Sequence, residues 1–146
     1  FRAINRERDM FPCTKIAVLL QFPDLELKGA HMKFTGIRRV FSTKNEEQYT
    51  TIGAFWDELS DIYGRENLMG LGCNWTADSI EYVIALKQGT ITGADYEIDL
   101  PDKWTEVRGR TKQLGEIYDR IYEDGPLLYE IEEFDENGNC RIRYCR

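Results

Sequence analysis

The sequence predicts an α+β domain built from duplicated strand-helix-strand-strand modules. The modules would form an antiparallel sheet with the helices on one face and a pocket between the halves. Two repeats carry this reading. Ile52, Phe55, Trp56 and Leu59 recur 62 residues later as Leu114, Ile117, Tyr118 and Ile121. Steps of three and four residues mark the buried stripe of a helix. The same shift carries Ile80-Glu81-Tyr82 onto Ile142-Arg143-Tyr144. A seam between two related modules is a natural place for a ligand pocket.

Taken in order, residues 1–30 read as a linker and lead-in strand, and residues 31–146 as the domain, with halves at about 31–89 and 90–146. The chain opens at Phe1 instead of methionine, as expected of a piece of a longer or processed protein. Within the lead-in, residues 13–28 carry strand character broken at Pro23-Asp24, and Gly29-Ala30-His31 makes a turn. Residues 33–42 read as a strand with Ile37, Val40 and Phe41 apolar. Thr50 or Thr51 is the expected cap of the first helix, which Gly64 ends. Residues 68–75 form a glycine-rich strand with a distorted end, and 80–87 a strong strand. In the second half, residues 96–100 form a strand that Pro101-Asp102 interrupts and 104–108 continue. Gly109 and Thr111 bound the second helix, which reaches about Tyr122. Strands at 127–134 and 140–145 flank a tight turn whose Asn137-Gly138 pair favours a hairpin.

Composition narrows the function. A net charge of −7 argues against nucleic-acid binding, which relies on cationic contacts to phosphate. No apolar run approaches the roughly 20 residues of a membrane helix. Four cysteines (Cys13, Cys73, Cys140 and Cys145) form no CxxC pair, and His31 is the sole histidine. These residues imply no metal site, and reduced thiols suit a cytoplasmic protein. Cys140 and Cys145 fall on opposite faces of one strand and should not bridge. No cofactor is expected, because Gly70-Leu71-Gly72 has the reverse of the order that a phosphate loop requires.

Residues 127–134 draw the most attention. Alternation puts Leu128, Glu130, Glu132 and Phe134 on one face and Tyr129, Ile131 and Glu133 on the other. The Tyr129/Ile131 face suits packing against a helix. The other face shows two carboxylates between apolar groups, which inside a cleft would suit a cationic or hydrogen-bond-donating ligand. Trp56, Trp75, Tyr82 and Trp104 are candidate aromatic walls, with Trp56 also placed for plain core packing. Glu130 and Glu132, about 6–7 Å apart on a strand, leave acid–base hydrolysis open, but no complete catalytic constellation is present.

The order of motifs resembles the gyrase-inhibitor-like (GyrI-like) effector-binding domains of bacterial AraC-type and multidrug-sensing transcription regulators. In the first half the likeness rests on Met32-Lys33-Phe34-Thr35-Gly36-Ile37, Ile52-Gly53-Ala54-Phe55-Trp56 and Glu81-Tyr82-Val83-Ile84-Ala85-Leu86. In the second half it rests on Glu97-Ile98-Asp99-Leu100-Pro101, Lys103-Trp104-Thr105, Ile117-Tyr118 and Gly125-Pro126-Leu127-Leu128-Tyr129-Glu130. The resemblance implies a pocket between the halves that takes lipophilic or cationic small molecules, with Glu130 at the family's ligand-recognising glutamate. Glu132 stands where the family often has tyrosine, making this pocket more anionic. The family's tryptophan-leucine-proline stretch is absent near Tyr122. DNA binding would reside in a preceding domain, with residues 1–10 the end of its linker, and a homodimer is compatible with this reading. Two alternatives come from the same resemblance: a stand-alone hydrolase of reactive cyclopropane-type toxins, and a protein-binding module that inhibits gyrase.

Overall fold

The computed structural model describes residues 32–146. The expected strands at 13–28, the turn at His31 and Cys13 lie outside these residues. Seven strands and two helices follow one another as β1 (Met32–Ser42), α1 (Gln48–Tyr63), β2 (Leu68–Cys73), β3 (Ser79–Leu86), β4 (Tyr96–Leu100), β5 (Thr105–Arg110), α2 (Leu114–Tyr122), β6 (Tyr129–Phe134) and β7 (Asn139–Cys145). The fold is α+β. All strand pairs are antiparallel, in the order β4-β1-β3-β2-β6-β7-β5. Without β4 that order reads the same from either end: β1-β3-β2 of one module meets β6-β7-β5 of the other. The modules join where β2 pairs with β6, Leu71 opposite Ile131.

The two helical stripes meet in one core. Phe55, Trp56 and Leu59 of α1 and Ile117, Tyr118 and Ile121 of α2 are buried in the same cluster, with Ile52 and Leu114 packed against it. Tyr82, Ile84, Ile142 and Phe134 reach this cluster from the sheet. The opposite face of the sheet carries a second cluster that includes Phe34, Leu71, Val83, Leu100 and Ile131.

Local departures from the sequence reading have simple causes. Helix α1 begins at Gln48, ahead of the threonines, because a 3₁₀ turn at Lys44–Glu46 feeds directly into it. The Thr51 hydroxyl instead donates to the Glu47 carbonyl at 3.1 Å. Gly64 does end the helix, at φ +85°. The glycine-rich β2 is regular from Leu68 to Cys73. The largest difference concerns residues 96–110. These are two strands on opposite edges of the sheet, β4 beside β1 and β5 beside β7.

That placement bends the sheet. Leu100 and Thr105 are joined by residues 101–104, and five extended steps reach at most about 18 Å. In a flat sheet, the six strand spacings between β4 and β5 would separate them by about 29 Å. The sheet therefore curls until its edges approach each other. Gly36 marks the point on β1 where pairing passes from β4 to β3. A side chain there would run into the backbone carbonyl of Ile84.

Candidate functional site

The first module supplies α1 and the second α2, and between these helices lies a cavity of about 470 Å³. Tyr49, Ile52 and Trp56 line it from α1, and Leu114, Tyr118 and Tyr122 from α2. Its floor is the helix-bearing face of the sheet, where Ile80 and Tyr82 of β3 and Glu130 and Glu132 of β6 point inward. Arg65, just after α1, also lines it. The side-chain oxygen of Gln48 is buried in the wall with no hydrogen-bond partner among the described residues.

Five of the six side chains singled out from the sequence meet here: Trp56, Trp75, Tyr82, Glu130 and Glu132 all line the cavity. Trp104 does not. It sits in the link before β5, packs with the cluster on the far face, and contacts the Tyr129 ring at 6.2 Å between centroids. Its indole N–H donates to the Pro101 carbonyl at 2.7 Å. The link crosses from one sheet edge to the other on that side, carrying Trp104 away from the helices. The expected packing of Tyr129 and Ile131 is also reversed. Both belong to the far-face cluster, and the helices lie over the glutamate face.

The floor is a hydrogen-bonded network. The Trp56 indole N–H donates to the Tyr82 hydroxyl at 2.8 Å. An indole nitrogen can only donate, so the phenol oxygen accepts there. Tyr82 in turn gives its own proton to Glu132 through a short bond. Tyr118 donates to the other oxygen of Glu132 at 2.7 Å. Among the described residues Glu130 receives a single bond, from the Tyr122 hydroxyl at 3.1 Å. Both glutamates are buried, 6% and 7% exposed. Burial pushes both carboxyls above the ordinary glutamate value, and for Glu130 the neighbouring Glu132 adds to the rise. The Tyr82 and Tyr118 hydroxyls, together with the Arg65 charge, pull Glu132 back down. Burial also holds Tyr82 and Tyr118 far above the usual phenol range, so both stay protonated donors.

Neighbouring Glu133 shows what a purely structural carboxylate looks like on the same strand. It points to the opposite face, is 1% exposed, and meets Arg143 at 2.8 Å, Arg141 at 3.3 Å and Lys87 at 3.7 Å. Buried charge is normally compensated in this way. Glu130 and Glu132 have phenols for partners, with Arg65 the cationic side chain that lines their cavity.

Sequence reasoning overlooked the polar roles of Tyr118 and Tyr122. The two lie one helical turn apart and stack at 6.0 Å, and that spacing opposite an acidic strand was a usable signal. In sequence, Gly70 and Gly72 suggest strand irregularity and a phosphate loop of the wrong order, and neither reading points to the site. A side chain at Gly70 would strike the Tyr82 hydroxyl, and one at Gly72 would come within 2.9 Å of a Glu130 carboxylate oxygen. These glycines on β2 make the room in which the network lies. Among the described residues no group of side chains is arranged to hold a metal ion.

No family model matches the chain, and no curated protein matches it. Solved structures are similar to it in fold, among them the following two. One is a candidate bacterial transcription regulation protein from Staphylococcus aureus MU50, with a TM-score of 0.55 and 13% identity, covering 79% of this chain and 92% of that one. The other is SAV2435 bound to tetraphenylphosphonium, with a TM-score of 0.54 and 16% identity, covering 79% of this chain and 88% of that one. The fold is shared. No helix among the described residues is long and apolar enough to cross a membrane.

Proposed function

We propose that residues 31–146 form the small-molecule effector-binding unit of a bacterial transcription regulator, of the gyrase-inhibitor-like kind. The ligand is a lipophilic organic cation that enters the cavity between α1 and α2. Trp56, Trp75, Tyr82 and Tyr118 supply aromatic walls, and Glu130 and Glu132 supply the charge. The observation that carries this reading is the pair of buried carboxylates, both left with phenol partners while Glu133 beside them is ion-paired by arginines. A neighbouring fold that holds tetraphenylphosphonium adds support. Contact with DNA belongs, in this reading, to another part of the regulator, whose orientation the ligand biases by favouring one of two states.

Titration calorimetry with tetraphenylphosphonium and the uncharged triphenylphosphine oxide tests the proposal. A carboxylate about 5 Å from a cation at an effective dielectric of about 20 contributes about 3 kcal/mol before desolvation. The cation should therefore bind at least about tenfold tighter than the neutral compound. Replacing both glutamates by glutamine should erase the preference. Equal affinities of the intact protein for the two compounds would refute the proposal.

A further inference from the structure

The two floor carboxylates have different surroundings. Both oxygens of Glu132 accept phenol protons, and the Tyr82 proton is committed to it because Trp56 occupies the phenol's acceptor side. Of the two carboxyls, Glu132 is thus the one whose ionised form is better supported. Among the described residues Glu130 has one bond, from a Tyr122 hydroxyl whose residue is 37% exposed at the edge of the cavity. Its carboxyl lies against Gly72 of β2, which offers it no side chain. Two carboxylates held this close out of water do not both ionise readily.

The groups facing Glu130 can be named element by element. Glu132 stands on its own strand, β6. From β3 comes Tyr82, from α1 Tyr49, and from α2 Tyr118 and Tyr122. Arg65 approaches from the turn after α1, and its charge acts on Glu132. Across the strand pairs lie Gly72 on β2 and Tyr144 on β7. Arg65 is stacked over the Phe134 ring, 4.4 Å from its centroid; apart from it, the neighbours of Glu130 among the described residues are phenols, a carboxylate and glycine.

We infer that the cavity is a cation–proton exchanger: in the empty site Glu130 holds a proton, and an entering organic cation displaces it while Glu132 remains a fixed charge. This deepens the function proposed above and rests on it. The exchange balances. The carboxylic acid of Glu130 loses its proton to buffer, its carboxylate pairs with the ligand cation, and the net charge of the cavity is unchanged. The ligand class follows. A permanent organic cation binds more tightly as pH rises, whereas a neutral ligand of the same shape gains nothing from the exchange. The pendent Tyr122 hydroxyl can be given up when the ligand arrives.

Titration calorimetry of tetraphenylphosphonium, which carries no titratable proton, reads the exchange directly. Runs at one near-neutral pH in phosphate and in Tris differ in heat by the number of protons released times the difference between the two buffers' ionisation enthalpies. The intact protein should release about half to one proton per ligand, and its affinity should rise with pH by up to about tenfold per pH unit. Glu130→Gln should still bind through Glu132 but release almost none. Tyr122→Phe, which removes a bond that favours the ionised form of Glu130, should release at least as much as the parent. Binding with equal heats in the two buffers would overturn the exchange and leave the proposed function standing. Undiminished release in a folded Glu130→Gln variant would also overturn it. No binding at all would overturn both.

Discussion

The Tyr82 hydroxyl is the joint of the floor network, and removing it has a cost that can be worked out bond by bond. In Tyr82→Phe the Trp56 indole N–H, 2% exposed, loses its acceptor, and Glu132 loses one of its two phenol donors. An orphaned buried donor costs about 1–3 kcal/mol, and a hydrogen bond to a charged group is worth about 1.5–3 kcal/mol. The carboxyl can recover part of this by taking up a proton, so the expected total is about 3 kcal/mol. Tyr118→Phe removes one bond to the same carboxylate with no indole left stranded, and should cost about 2 kcal/mol. Urea denaturation of the ligand-free protein measures both, with unchanged slopes confirming that the same two states are compared. A loss below about 1 kcal/mol for Tyr82→Phe would refute the network. So would a Tyr118→Phe variant that loses as much or more.

Two glycines facing the same region should respond in opposite directions. Gly53→Ala on α1 meets nothing within 4 Å and should stabilise by about 0.5–1 kcal/mol through helix propensity, read as a higher Tm. Gly70→Ala would drive a methyl group into Tyr82 and should destabilise by about 2 kcal/mol or more in the same melt. The raised Glu130 carboxyl sets a pH slope. Folding favours its protonated form, so stability of the ligand-free protein should fall as pH rises from about the ordinary glutamate value of 4.5 through the higher folded value. Glu130→Gln should flatten that fall in denaturation series across pH. Tyr49, 61% exposed at the cavity edge, should matter to ligand and not to fold. Tyr49→Ala should weaken tetraphenylphosphonium binding about 2- to 12-fold in calorimetry with an unchanged Tm, whereas Trp104→Phe on the far face should leave affinity unchanged.

Periodicity made the helices and the duplicated plan readable, because both stripes are amphipathic and each sequence match falls on an equivalent element. Strand alternation also put Glu130 and Glu132 on one face. It put the more apolar Tyr129/Ile131 face against the helices, but β6 is buried on both sides, and that face packs in the far cluster instead. Pro101 announced a break in the chain, but strand partners are chosen non-locally, so nothing near it revealed that β4 and β5 occupy opposite edges. Trp104 followed that error to the wrong side. Tyr118 and Tyr122 were hidden by their own helix pattern, which accounts for the rings as packing and is silent about where the hydroxyls point.

The short strap from Leu100 to Thr105 limits how the molecule can admit a guest. With β2 and β6 zipped along the midline and the strap tethering the rims, the two halves cannot swing apart like the covers of a book. A guest in the cavity would then be accommodated by shifts of α1 and α2 over the sheet. A bulky guest would then be registered as a change in helix spacing, a displacement that any segment resting on those helices would feel.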